Sequence, residues 1–262
     1  MTDFGIDVSH HNQVDDWQAV RGNNITYTSI KLTESTGFID NRADSHADRA
    51  RAAGIRVGGY HFARNTDVGA QVRHFGAQLR ARSMIGADSL APMLDMEVRE
   101  LRSSANPFVA DFIARLRAET GVRRVLVYAN LDFWRNVLKP AEWADGDVLL
   151  WVARFNGDPG NPGFEHPKLA LHQHTNQGRV PGIPGFVDRD ATVGGHTLAS
   201  LLQANGGPAA PPPEAADVHV VQRGENLIRI ARQHGTTFEE LVRLNNIPNP
   251  DIIFPGQVLR LR

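Results

Sequence analysis

Eight short apolar runs rich in β-forming residues recur along the first 203 residues: FGIDV, YTSIKL, IRVGGYHF, APMLDM, RVLVYA, DVLLWVA, LALHQH and GFVDRD. Between several of them lie stretches with the spacing of an amphipathic helix: NRADSHADRARAAG, DVGAQVRHFGAQLRARS and NPFVADFIARLRAETG. The last of these ends on Gly121, where a helix-terminating glycine belongs. Strands alternating with helices predict a parallel sheet, and eight of them predict a (β/α) barrel of the α/β class. The later runs follow one another too closely for full helices, so the expected barrel is irregular. An open doubly wound sheet is the competing arrangement, but no glycine-rich phosphate loop follows the first run.

The segment ANGGPAAPPPEAAD has no apolar periodicity and reads as a Pro/Ala/Gly-rich linker over residues 204–217. It separates a large module, 1–203, from a small one, 218–262. The small module reads strand, helix, helix, strand: VHVVQ and QVLRLR alternate, while NLIRIARQHG and TFEELVRLNN are amphipathic. Thr236 or Thr237 is placed to cap the second helix, with Glu239 or Glu240 three residues on.

In a strand, residues two apart share a face, so Met93, Asp95 and Glu97 of APMLDMEV look one way while Leu94 and Met96 look the other. At the C-terminal end of a barrel strand the inward face opens into the mouth, where barrel active sites lie. Asp7 ends the first run in the same way, and Asp188 is expected to end the last. A lone acid at a strand end is ordinarily a solvated loop residue. Four acids converging on one rim are something else, because crowding and partial burial push carboxyl pKa values apart until one stays protonated while another ionises. Glycoside cleavage needs that combination: an acid for the leaving oxygen and a carboxylate to stabilise the positive centre.

Other classes find less support. With 28 Lys+Arg against 29 Asp+Glu, the net charge of -1 provides no field for gripping nucleic acid. The absence of cysteine removes thiolate chemistry. No run reaches the length needed to insert in a membrane, and the N-terminus has no signal-peptide pattern. His172 and His174, two apart on one strand, allow a rival in which they hold a metal with an aspartate of the last strand.

The ordered set GIDVSHHN, SIKLTES, GGYHFAR, MLDMEV, VYAN, LLWVARF and GFVDRD resembles the lysozymes of glycoside hydrolase family 25 over about residues 3–195. The resemblance implies an irregular β/α barrel that cuts the β-1,4 bond between N-acetylmuramic acid and N-acetylglucosamine, with no cofactor and no metal. It implies Glu97 as general acid and Asp95 as its partner, with Asp7 and Asp188 completing the acidic rim. It also places Tyr60, Tyr128 and Trp151 towards the cleft, and Gln173 as the one match to a substrate-contacting segment. A chitinase, which also uses an Asp-x-Glu strand, is the alternative.

The small module resembles the lysin motif, LysM, with RGENL as its first turn and NPDIIFPGQVLRL as its closing segment. That resemblance implies a groove for N-acetylglucosamine chains between Gly224, Glu225, Asn226, Leu227 and Ile228 on one side and Asn249, Pro250, Asp251, Ile252 and Ile253 on the other. The expected partner is therefore bacterial peptidoglycan. The expected setting is a phage endolysin, held in the host cytoplasm until a separate pore-forming protein releases it to act at the cell wall.

Overall fold

The run FGIDV forms β1 (Phe4–Val8) in a computed structural model that describes residues 2–203, 218–222, 225–245, 247, 250, 253 and 258–261. The chain divides into two compact units, Met1–Ala209 and Ala210–Arg262. In the first, β1 is followed by α1 (Trp17–Gly22), β2 (Ile25–Glu34), β3 (Phe38–Ile39), α2 (Ala43–Ala52), β4 (Arg56–Phe62), α3 (Val68–Ala81) and β5 (Met93–Asp95). Then come α4 (Ala105–Thr120), β6 (Val125–Asn130), α5 (Leu131–Asn136), β7 (Val148–Ala153), β8 (Leu169–Gly178), β9 (Val187–Thr192) and α6 (Leu198–Leu201). The three periodic stretches are α2, α3 and α4. Asp67 caps α3 by accepting from Ala70 N at 2.7 Å, and Gly121 ends α4 at φ 74, in the left-handed region a glycine enters without strain.

Eight strands close on themselves in the order β1, β2, β4, β5, β6, β7, β8, β9, with β9 returning to β1 and β3 folded back on the end of β2. From β1 to β8 each neighbouring pair is parallel. The barrel is not parallel throughout: β9 runs antiparallel to both β8 and β1. The cause lies in the chain between Gly178 and Val187, which is shorter than the dozen or more residues that a parallel crossover needs.

Alternation along the strands separates two apolar layers. Leu94, Met96, Val127, Leu150 and Val152 pack outward with Phe75 and Phe112 of the helices, all of them fully buried. A buried leucine or phenylalanine of this kind stabilises by roughly 1.5–3 kcal/mol relative to exposure. Met93, Leu126, Tyr128, Leu149, Trp151 and Tyr27 form the second layer inside the barrel, floored by Leu201 of α6. Ala91 N donates to Leu201 O at 2.9 Å, so α6 covers the N-terminal end of the strands and leaves the C-terminal end to the site.

The second unit contains β10 (Val218–Val220), α7 (Leu227–Gln233), α8 (Phe238–Leu244) and β11 (Val258–Arg260), the two strands pairing antiparallel. Its core holds Val221, Leu227, Ile230, Leu241, Leu259 and Leu261. Thr237 caps α8 by accepting from Glu240 N at 3.2 Å. The expected linker, 204–217, lies outside the described residues.

Candidate active site

The C-terminal ends of the parallel strands and the first residues of β9 share one rim, and the acids gather there. Asp7 is next to last in β1, Asp95 ends β5 with Glu97 two residues on, and Asp188 is the second residue of β9. Asp188 thus begins its strand rather than ending it. The reversed direction of β9 is what carries it to the rim, as the direct cross-strand partner of Asp7.

Asp95 shares the inward face with Met93 and is buried, and its Oδ1 meets no hydrogen-bond partner among the described residues. Glu97, one strand period further on, is exposed. Burial pushes Asp95 well above the usual carboxylate range, Glu97 and Asp7 push it further, and Lys31 opposes them. Asp7 is also raised well above that range, by burial and then by Asp188, against the Gln173 hydrogen bond. Asp188 rises to about 6, through burial and then Glu97. Although Glu97 is open to water at its tip, the surrounding walls still raise its carboxyl by desolvation, while Lys31 and then Arg64 hold it back. Four such groups cannot all ionise near neutrality, so the rim keeps protons that isolated carboxyls would have lost.

The one buried cation of this rim among the described residues is Lys31 of β2, which sequence reading passed over inside SIKLTES. Its Nζ lies 2.6 Å from Glu34 Oε2, and Arg64 is 2.7 Å from Glu34 Oε1. Asn12 accepts from Ser9 N at 2.9 Å and shapes the SHHN turn beside the rim.

The expected substrate contacts divide by depth. Tyr60 is half-buried, and burial with the adjacent Asp7 and Asp95 raises its hydroxyl pKa well above the usual value, which places it among the acids. Trp151 is only 1% exposed and stands edge-on to Tyr128 at 5.5 Å, so it is barrel interior and not a sugar platform. Tyr128 and Gln173 are buried as well. Tyr128 Oη donates to Gln173 Oε1 at 2.9 Å and Gln173 Nε2 donates to Asp7 Oδ2 at 2.6 Å, so the two form a layer that holds Asp7 from beneath. The exposed aromatics lie elsewhere on the rim: Phe38 just after β2, Phe155 just after β7, and Phe186 just before β9, at 42%, 54% and 51% exposure. Their position flanking strand ends was the available signal.

His172 and His174 lie on the face of β8 opposite Gln173, directed away from the acids. The His172 ring nitrogens meet the carbonyls of Pro159 and Arg154 at 3.1 and 3.0 Å. The rival metal arrangement is therefore not assembled around these histidines.

In the small unit, Gly224, Asn249, Asp251 and Ile252 of the expected groove lie outside the described residues. Leu227 is buried in the core and not available to a glycan. Asn226 caps α7 by accepting from Arg229 N at 2.9 Å, and Glu225 pairs with His219 Nε2 at 2.6 Å. Ile228 is 53% exposed, while Pro250 and Ile253 are half-buried.

Convergent carboxyls at the mouth of a closed barrel, beside exposed aromatic rings, are the site of a glycosidase. The family model for glycosyl hydrolases family 25 matches residues 6–183, the LysM domain matches residues 219–262, and the chain belongs to glycosyl hydrolases family 25. It is 30% identical over 208 residues to lysozyme M1 of Streptomyces globisporus, a match covering 76% of this chain and 69% of that protein. Among solved structures it resembles the bacterial lysozyme from Streptomyces coelicolor, with TM-score 0.62 and 27% identity over 76% of this chain and 94% of that one. The catalytic domain of endolysin ply40 from bacteriophage P40 of Listeria monocytogenes has the same fold, with TM-score 0.63 and 24% identity over 77% and 96% of the two chains.

Proposed function

We propose that the barrel is a peptidoglycan-degrading N-acetylmuramidase in which Glu97 is the general acid and Asp95 its partner. The observation that carries the assignment is the depth difference between two acids on one inward face: Glu97 open at the rim, Asp95 buried one strand period behind it. Glu97 gives its proton to the bridging oxygen as the bond to the anomeric carbon breaks. Asp95 orients the group that takes up the developing positive charge, and Asp7 and Asp188 set the field around the pair. Water then adds to the anomeric carbon, and its proton returns to Glu97.

The LysM domain holds the enzyme to the same polymer, which raises the local concentration of bonds to be cut. The setting proposed with this activity is that of a phage endolysin released through a separate pore-forming protein. Production inside a host should leave cells intact until a pore former is supplied, and lysis without one would overturn the setting.

Mass spectrometry of soluble products tests the reaction. Purified peptidoglycan should yield fragments with N-acetylmuramic acid at the reducing end, and chitin should yield none. Release of chitin oligomers at a comparable rate would replace the muramidase assignment with a chitinase.

A further inference from the structure

Asp190 belongs to none of the roles above. It follows Asp188 by two residues on β9 and so shares its inward face, lying opposite Gly5 of β1 and Gln173 of β8. It is 0% exposed, and neither carboxyl oxygen meets an N–H or O–H donor in good hydrogen-bond geometry among the described residues. The nearby ionisable groups are Asp7 of β1, Asp188 of its own strand and Tyr27 of β2, with the uncharged Trp151 indole facing it from β7. Among the described residues, no cation is found with the groups acting on it. A carboxylate in that position would be desolvated, without donors and beside two other acids, an arrangement that is expensive to keep charged. Burial and both neighbouring aspartates accordingly raise Asp190 well above the usual range.

A neutral acid has an O–H to place, and Asp7, two residues beyond Gly5 on the same face of β1, is its diagonal neighbour across the β1–β9 pair. Asp7 Oδ2 already accepts from Gln173 Nε2 at 2.6 Å, which leaves Oδ1 open to a second donor. Of the two acids, Asp7 is the better site for the charge. It has the amide donor, and it is 8% exposed where Asp190 is wholly enclosed. The remaining oxygen of Asp190 is then the acceptor facing Trp151 Nε1, a buried donor otherwise without a partner in good geometry. The barrel keeps this space tight: Gly5 lies opposite Asp190, and a Cβ there would come within 2.1 Å of the Tyr27 ring.

We propose that Asp190 is a positioning residue: held as the neutral acid, it donates its O–H to Asp7 and fixes Asp7 as the charged, correctly aimed carboxylate beside Asp188. The inference rests on the reading of Asp7 as part of the catalytic rim. Its chemistry requires a hydrogen-bond donor at position 190 and no negative charge there.

The experiment compares Asp190→Asn, Asp190→Leu and Asp7→Asn in the full chain, with kcat and KM on soluble glycan fragments measured from pH 4 to 8 and folding checked by thermal unfolding. Asn supplies an N–H donor of similar shape, so Asp190→Asn should keep kcat within about threefold of the parent and preserve the pH profile. Asp190→Leu should lower kcat by roughly tenfold with KM little changed, and shift the acidic limb of the profile upward, because Asp7 has lost a donor to its charged form. Should the Leu protein fail to fold, carbon-13 labelling of aspartate decides the question. The carboxyl resonance that disappears in Asp190→Asn should stay at the protonated position throughout the range. A resonance that titrates like an ordinary carboxyl would overturn the proposal, as would an Asn variant as damaged as the Leu variant. If Asp190→Asn and Asp190→Leu shift only the melting temperature, with parental pH profiles, Asp190 is structural and the proposal falls. An Asp7→Asn protein of full activity would instead remove Asp7 from the rim, and with it the premise.

Discussion

Asp7 and Asp188 face one another as direct cross-strand partners between β1 and β9, two acids on adjoining strands at the mouth of the barrel. Like charges placed opposite in a sheet destabilise it, and here the cost is retained at the site. Asp188 has its carboxyl raised to about 6, so the native state binds a proton that the unfolded chain releases near pH 4. Stability therefore falls as pH rises from about 4 to about 6, and the penalty is fully present above that.

Asp188→Asn removes this penalty. At pH 7 the variant should be more stable by on the order of 1–2 kcal/mol, a figure discounted for the residue's partial exposure. At pH 4 the gain should vanish. Thermal unfolding at both pH values measures it, and an equal gain at both would mean that the effect is not electrostatic. Activity should decline moderately with an altered pH profile.

Glu97→Gln keeps the shape of the side chain and removes its proton. Turnover on peptidoglycan should fall by about 100-fold or more. Because Glu97 is exposed, the melting temperature should stay near that of the parent. Cell-wall lysis at the parental rate would remove Glu97 from the role of general acid.

The site was legible where strand periodicity decides and illegible where direction or depth does. The two-residue spacing of Asp95 and Glu97 was enough to put both on the inward face. The position of Asp188 within its strand was misjudged because strand direction depends on how far the loop between Gly178 and Val187 can reach, which no local pattern records. Trp151 and Tyr128 look from sequence like any aromatic near a strand end. Whether a side chain sits at the rim or one layer below depends on barrel register, and register is a property of all eight strands together. Asp190 repeats the two-residue spacing already used for Asp95 and Glu97, and that signal was available in GFVDRD.

Lys31 should set the alkaline limit of activity. Its charge lowers the carboxyls of Glu97 and Asp95. Lys31→Met removes it, so the Glu97 proton should be lost at higher pH, and the alkaline limb of kcat should move to higher pH. Arg64 remains to pair with Glu34. An unmoved limb in a folded variant would show that Lys31 does not act on the catalytic acid.

Exhaustive chelation followed by activity measurement separates carboxylate chemistry from the metal rival. Activity should persist, since His172 is directed away from the acids and its ring nitrogens face backbone carbonyls. His172→Ala should destabilise the barrel by about 1–3 kcal/mol, through lost packing and loss of the ring contact to the Pro159 carbonyl, the Arg154 carbonyl keeping its bond from Asn156 N, with kcat little changed. Loss of activity in chelator with rescue by zinc would restore the rival.

The two units should divide the work between cutting and holding. Every proposed catalytic group lies in residues 1–203, and the second unit has a core of its own, so neither needs the other for its local chemistry. Tethering matters on an insoluble wall and vanishes on a short soluble fragment. Cleaving the chain between 204 and 217 should therefore leave hydrolysis of soluble muropeptides unchanged while weakening sedimentation with intact walls. The most informative variant in the small unit is Ile228→Ser, because Ile228 is exposed beside the first turn and its loss removes apolar contact without opening the core. Asn226→Ala should act differently. It deletes the cap of α7 and should cost about 1 kcal/mol of stability in that unit, so any loss of binding should track unfolding. A truncated barrel that sediments with walls as well as the full chain would show that the LysM unit does not anchor this enzyme.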